Sequence, residues 1–85
     1  MSKHRLFSSD EIIAALQRAG FEPGKKSKGS HLVLRRRRSQ GRHDVVIVVL
    51  GKKEVTRGTL RGILQQANIG YEGFLKLAKV KRKGK

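Results

Sequence analysis

The sequence predicts an α+β fold: a two-layer sandwich with three short strands, two main helices on one face of the sheet and a short extra helix near the C-terminus. Three observations predict it. Apolar residues recur at helical spacing in two places, as Ile12, Ala15, Leu16 and Ala19 and again as Leu60, Ile63, Leu64 and Ala67. Between them the pattern switches to a period of two over Ser30 to Arg37, followed by a β-branched run from Asp44 to Leu50. The chain has 85 residues, enough for one domain with a small core.

The first helix has a well-marked start. Ser8 is placed as its N-cap, Glu11 three residues on completes a capping box, and Phe7 and Ile12 are spaced as a hydrophobic staple. Gly20 stands where a left-handed C-terminal cap belongs, so the helix is expected over about residues 9 to 19. Phe21 to Ser30 mixes Pro23, Gly24 and Gly29 with three lysines and supports at most a short or irregular edge strand.

From Ser30 to Arg37, Leu32 and Leu34 share one face, and His31, Val33, Arg35 and Arg37 share the other. Arg36 is sent toward the helix side or the rim. Arg38 to Arg42 forms a turn, and the run Asp44 to Leu50, apolar on both faces, reads as a strand covered on two sides and paired in a hairpin with its predecessor. After a turn at Gly51 to Glu54, a second helix is expected from Thr59 to Ala67, weakened slightly by Gly62. Tyr71, Phe74, Leu75 and Ala78 continue the apolar spacing in a third. The expected domain is residues 1–78, with 79–85 a basic and unstructured tail.

Charge narrows the partners. The chain carries 21 Lys and Arg against 6 Asp and Glu, a self-repulsion that an anionic ligand relieves. Nucleic acid, RNA above all, is the expected partner. A membrane surface is the rival use of basic charge, but it needs an amphipathic helix with a cationic face opposite bulky apolar residues, and neither main helix has that pattern. The longest apolar run, Val45 to Leu50, is far too short to span a bilayer, and the polar start at Met1 to Leu6 is not a signal peptide. A soluble, cytoplasmic protein is expected. Cysteine is absent, which removes disulfides, thiolate zinc sites and cysteine nucleophiles.

His31 is the residue best suited to chemistry. A histidine on an open sheet face, with arginines at even spacings on the same face, can meet an RNA phosphate. RNA carries its own nucleophile in the 2′-hydroxyl. Cleavage therefore needs only a general acid or base of near-neutral pKa and cations for the charge that develops at phosphorus. Arg35 and Arg37 are the expected phosphate clamps. A plainer role is also open, in which His31 begins a strand and its ring bonds to backbone. Arg35 to Arg38 is likewise compatible with a solvated strand end. His43 beside Asp44 reads as a strand-cap feature, and His4 as part of a loose N-terminus. The six acidic residues are scattered, no glycine-rich phosphate loop occurs, and an enzyme built on this chain is expected to work without a metal or other cofactor.

In order along the chain stand the Ser-capped helix ending in Gly20-Phe21, then Lys28-Gly29-Ser30-His31, the valine-rich strand, and Gly58-Thr59-Leu60-Arg61-Gly62-Ile63-Leu64-Gln65-Gln66-Ala67 followed by Phe74-Leu75. This set resembles the HicA toxins, small RNA-cleaving proteins of toxin-antitoxin pairs, over most of the chain. The resemblance implies an α-β-β-β-α fold like that of double-stranded RNA-binding domains, ribosome-independent mRNA cleavage, and a HicB-like antitoxin that covers the active site. It implies that His31, in Gly-Ser-His, is catalytic, with Lys28, Gly29, Ser30, Arg35 and Arg37 contacting RNA. Two features depart from the family pattern. Ile47-Val48-Val49-Leu50 stands where relatives commonly have Val-Pro-x-His, so a second histidine is missing, and the arginine run and basic tail are heavier. The alternatives to an endoribonuclease are a non-catalytic double-stranded RNA-binding module and a degenerate toxin that acts mainly by binding its antitoxin.

Overall fold

The computed structural model describes residues 6–26 and 30–79; His4, Lys28, Gly29 and the tail from residue 80 lie outside them. Helix α1 spans Ser9–Arg18 and starts as the sequence predicts. The Ser8 side chain accepts from the Glu11 amide at 3.1 Å, and the Ser8 amide donates to the Glu11 carboxylate at 2.9 Å. Its C-terminus is closed by a pair of reversed bonds, Phe21 N–H to Leu16 O and Gly20 N–H to Gln17 O, both at 3.0 Å. That closure requires the left-handed backbone of Gly20, at φ +102.

Strands β1 (Glu22–Lys26), β2 (His31–Arg37) and β3 (His43–Val49) form one antiparallel sheet in the order β1-β2-β3. β1 is an edge strand whose register slips between Pro23 and Lys26, as its proline and glycine dictate. β2 and β3 pair without interruption from His31 opposite Val49 to Arg37 opposite His43, and a short 3-10 turn at Ser39–Gly41 joins them. Helix α2 runs over Arg57–Ala67, beginning two residues before the expected Thr59, because Thr56 caps it by accepting from the Thr59 amide. Helix α3 covers Tyr71–Leu77. The result is helix, three-stranded antiparallel sheet and two helices, the α-β-β-β-α arrangement expected, with the extra helix.

The helices lie on one face of the sheet, and there Ile12, Leu16, Leu34, Val46, Val48, Leu60, Ile63, Leu64 and Phe74 make a closed core. One expectation fails here. β3 is covered on one side only: Val46 and Val48 are buried, but Val45 and Ile47 are 43% and 46% exposed. Its unbroken run of valine and isoleucine mimics a central strand, yet all three helices are used on the inner face and the described chain has no other element for the outer one.

At the end of the sandwich away from His31, Asp44 is a buried acid that gathers three cationic or amide groups. Arg36 donates to one carboxylate oxygen through Nη2 at 2.8 Å and Nε at 3.1 Å. Arg38 and the Asn68 amide donate to the other at 3.2 and 3.3 Å. Arg36 also bonds the C-terminal carbonyls of both main helices, Ala19 O and Ala67 O, and lies over the Phe21 ring at 4.7 Å. The inward turn of Arg36 is what alternation predicts, but its function as a tie between hairpin and helix ends emerges only in three dimensions.

The Arg36 hydrogen bond, aided by Asn68 and Arg38 and opposed by desolvation, holds the Asp44 carboxyl below its ordinary value. A carboxylate depressed in the folded chain adds stability that is fully present above its unfolded pKa, about 3.9, and is lost as pH falls toward the folded value. We therefore expect Asp44→Asn to melt below the wild type near neutral pH. The gap should narrow as the pH is lowered below about 4. A gap constant across that range in thermal melts would show that the charge is not what stabilises the end of the sandwich.

Candidate functional site

The hydrogen-bond phase of the β2-β3 hairpin decides what its outer face presents. Leu50 N–H bonds Ser30 O at one end and Arg38 N–H bonds Arg42 O at the other, each at 2.6 Å. Bonded and non-bonded pairs alternate in an antiparallel ladder, so His31 with Val49, Val33 with Ile47, Arg35 with Val45 and Arg37 with His43 are the non-bonded kind. Such pairs have their Cα atoms about 4.5 Å apart and their side chains close. All eight side chains project from the face opposite the helices. His31, Arg35, Arg37 and His43 are exposed, and Val33 and Val49 are partly so.

This face is a strip with cationic ends and an aliphatic middle. Along β2, Arg35 follows His31 by about 13 Å and Arg37 by about 20 Å at the usual rise of a strand. The three share a face, as alternation predicts, but they stand in single file and do not converge on one point. Ser30, a turn residue, is held at the His31 end by its carbonyl bond to Leu50. The sequence pattern did not reveal His43 as a member of the face. It sits beside Arg37, some 20 Å from His31, too far to replace the missing family histidine. The signal was present in the register: a tight turn over residues 38–42 obliges His43 to lie opposite Arg37.

The outer edge of β3 is partly closed by side chains. Ser9 Oγ donates to Val49 O at 2.6 Å, and the Gln66 side-chain oxygen accepts from the Ile47 amide at 3.3 Å. These bonds leave the sheet face, rather than the edge, as the open surface. Among the described residues no three His, Cys, Asp or Glu side chains cluster as metal ligands would, and no helix is long and apolar enough to cross a membrane.

A thin α+β sandwich, helices on one side and a histidine-bearing cationic strip on the other, defines a class of small basic domains shaped to meet an anion. Within that class the family is shown. The model of the family described as HicA toxin of bacterial toxin-antitoxin systems matches residues 9–69, well over half of the chain, and the chain belongs to that family. It is thus a toxin of a toxin-antitoxin system, for which a cognate antitoxin is the expected partner. Comparison with curated proteins gives no match.

Proposed function

We propose that the protein is an endoribonuclease toxin that cleaves mRNA without a metal, with His31 as its catalytic residue. The observation that carries this reading is the position of His31 in a HicA-family chain: exposed, at the first position of β2, on the one sheet face the helices leave open. Cleavage proceeds by attack of the 2′-oxygen on the adjacent phosphorus. The new bond forms as the bond to the 5′-oxygen breaks, so the products are a cyclic phosphate and a free 5′-hydroxyl. One proton leaves the 2′-hydroxyl and one arrives at the 5′-oxygen. His31 handles one of these transfers and solvent the other.

Arg35 and Arg37 hold the RNA backbone further along β2 through bidentate contacts to phosphates beyond the one being cleaved. Lys28, Gly29 and Ser30 form the approach to His31, where a glycine lets the RNA backbone come near the chain. A HicB-like antitoxin, binding over this face, is the natural inhibitor, and the setting is cytoplasmic.

Purified protein free of antitoxin, incubated with mRNA in excess EDTA, is expected to yield discrete fragments on a denaturing gel. Salt-sensitive binding to duplex RNA with no fragments would instead support a non-catalytic double-stranded RNA-binding module.

A further inference from the structure

The spacing along β2 leaves a chemical gap. A phosphate in contact with His31 gains negative charge as it is attacked, and stabilising that charge takes cations at the same point. Arg35 and Arg37 are about 13 and 20 Å further along the strand. The structure brings another pair of cations to the His31 end, from a segment whose sequence shows only a turn.

Past Val49, the close cross-strand neighbour of His31, the chain reverses at Gly51 with φ +80, a conformation that disfavours any side chain. The next residue, Lys52, is clamped by the buried Ser9. The Ser9 hydroxyl donates to Val49 O at 2.6 Å and accepts from the Lys52 amide at 3.1 Å, while the Ser9 amide donates to Lys52 O at 2.9 Å. One hydroxyl bonding both groups keeps the Lys52 nitrogen within the length of two hydrogen bonds of the Val49 carbonyl. A backbone bridge between Phe7 and Val55, closed by Val55 N–H to Phe7 O at 2.8 Å, secures the other side of the turn. The backbone of this turn is therefore as firmly held as the core, yet the side chains of Lys52 and Lys53 are exposed, and neither pairs with a carboxylate among the described residues. In a chain with a net charge of +15, two such cations pinned beside a strand end add to self-repulsion unless an anion sits between them and that end.

We propose that Lys52 and Lys53 bind the scissile phosphate of the RNA and stabilise the charge that develops on it, while Arg35 and Arg37 bind phosphates that do not react. The proposal rests on the ribonuclease reading and assigns the cations that His31 needs. It separates two kinds of contact by what each does to the kinetics. Charge that meets the reacting phosphate acts in the transition state and raises kcat, whereas charge on its neighbours acts equally in ground and transition states and lowers KM.

The test is steady-state cleavage of a short RNA by full-length protein, with folding checked by thermal melting. Lys52→Ala/Lys53→Ala is expected to lose on the order of 10²-fold in kcat with little change in KM. Lys52→Arg/Lys53→Arg should recover most of that loss. Arg35→Ala/Arg37→Ala is expected to raise KM and leave kcat nearly intact, and Lys76→Ala, in α3 on the helix side, to change neither. A double lysine variant that keeps wild-type kcat, or that is affected only in KM, overturns the assignment. If His31→Ala is inactive at the same time, the ribonuclease reading survives that failure. If the wild type does not cleave, or His31→Ala cleaves normally, both fall together. Should the alanine pair melt early, Lys52→Gln/Lys53→Gln keeps side-chain bulk at both positions and is expected to show the same loss in kcat, with an unchanged kcat again overturning the assignment.

Discussion

Replacing His31 with alanine is expected to reduce RNA cleavage by roughly a hundred- to ten-thousand-fold, the range over which a positioned acid or base acts, and to leave the fold standing. The two halves of that result have separate causes. The imidazole is exposed and belongs to no core contact, and the bond that starts the ladder, Leu50 N–H to Ser30 O, runs between backbones. What the substitution removes from stability is a difference in strand preference, at most about 1 kcal/mol. Cleavage of a labelled RNA and a melting curve, measured on the same preparation, check both. A variant that cleaves at the wild-type rate would end the case for His31, and a variant that no longer folds would show the residue to be structural.

Replacing Phe74 with alanine is expected to do the reverse, unfolding most of the protein without touching the strip. Phe74 is fully buried in α3 and packs edge-on to Phe7, with ring centroids 4.9 Å apart and planes at 80°. Phe7 in turn anchors the bridge to Val55 and precedes the cap of α1. Truncating a buried phenylalanine costs about 3–5 kcal/mol. A domain of this size has little more than that to lose, since native stability is about 5–15 kcal/mol and small cores fall at the low end. Urea titration followed by circular dichroism should show a Phe74→Ala baseline already partly unfolded, while Phe74→Leu retains a cooperative transition. A full-strength transition in the alanine variant would mean that α3 is dispensable. The family match ends at residue 69, so this experiment also asks whether a helix beyond the matched segment is integral to the domain.

Much of the architecture is legible in one dimension because it depends on local chemistry. The Ser8-Glu11 capping box, the stop at Gly20, and the two stripes of helical apolar residues each follow from neighbours within four positions, and all stand where the pattern places them. Alternation in β2 likewise separates Leu34 from His31, Arg35 and Arg37, since a pleated strand leaves no choice of face. The candidate site was legible to the same extent: a face, and the residues on it. Its internal distances were not, because period-two alternation says which side chains share a side and nothing about whether they converge.

β3 shows where local pattern misleads. A run of valine and isoleucine is equally favourable in a strand buried on one side or two. Whether a second layer exists depends on how many elements the whole chain supplies, and here Val45 and Ile47 are left in the open. The two histidines and the lysine turn make the same point from the other direction. His43 joins the outer face, and Lys52 is drawn to the His31 end, through a hairpin register and a serine bond that link residues as much as 43 positions apart.

By itself, then, the sequence determined the order of elements, the faces of α1, α2 and β2, the excess of positive charge and the Gly-Ser-His signature of its family. Only the tertiary structure decided that the outer sheet face is open, that Arg36 and Asp44 tie the helix ends to the hairpin, and that Lys52 and Lys53 stand at the end of the sheet where His31 begins. The physical reason is one of range: periodicity and capping are written in contacts a few residues long, whereas charge acts through space and meets whatever the fold brings near.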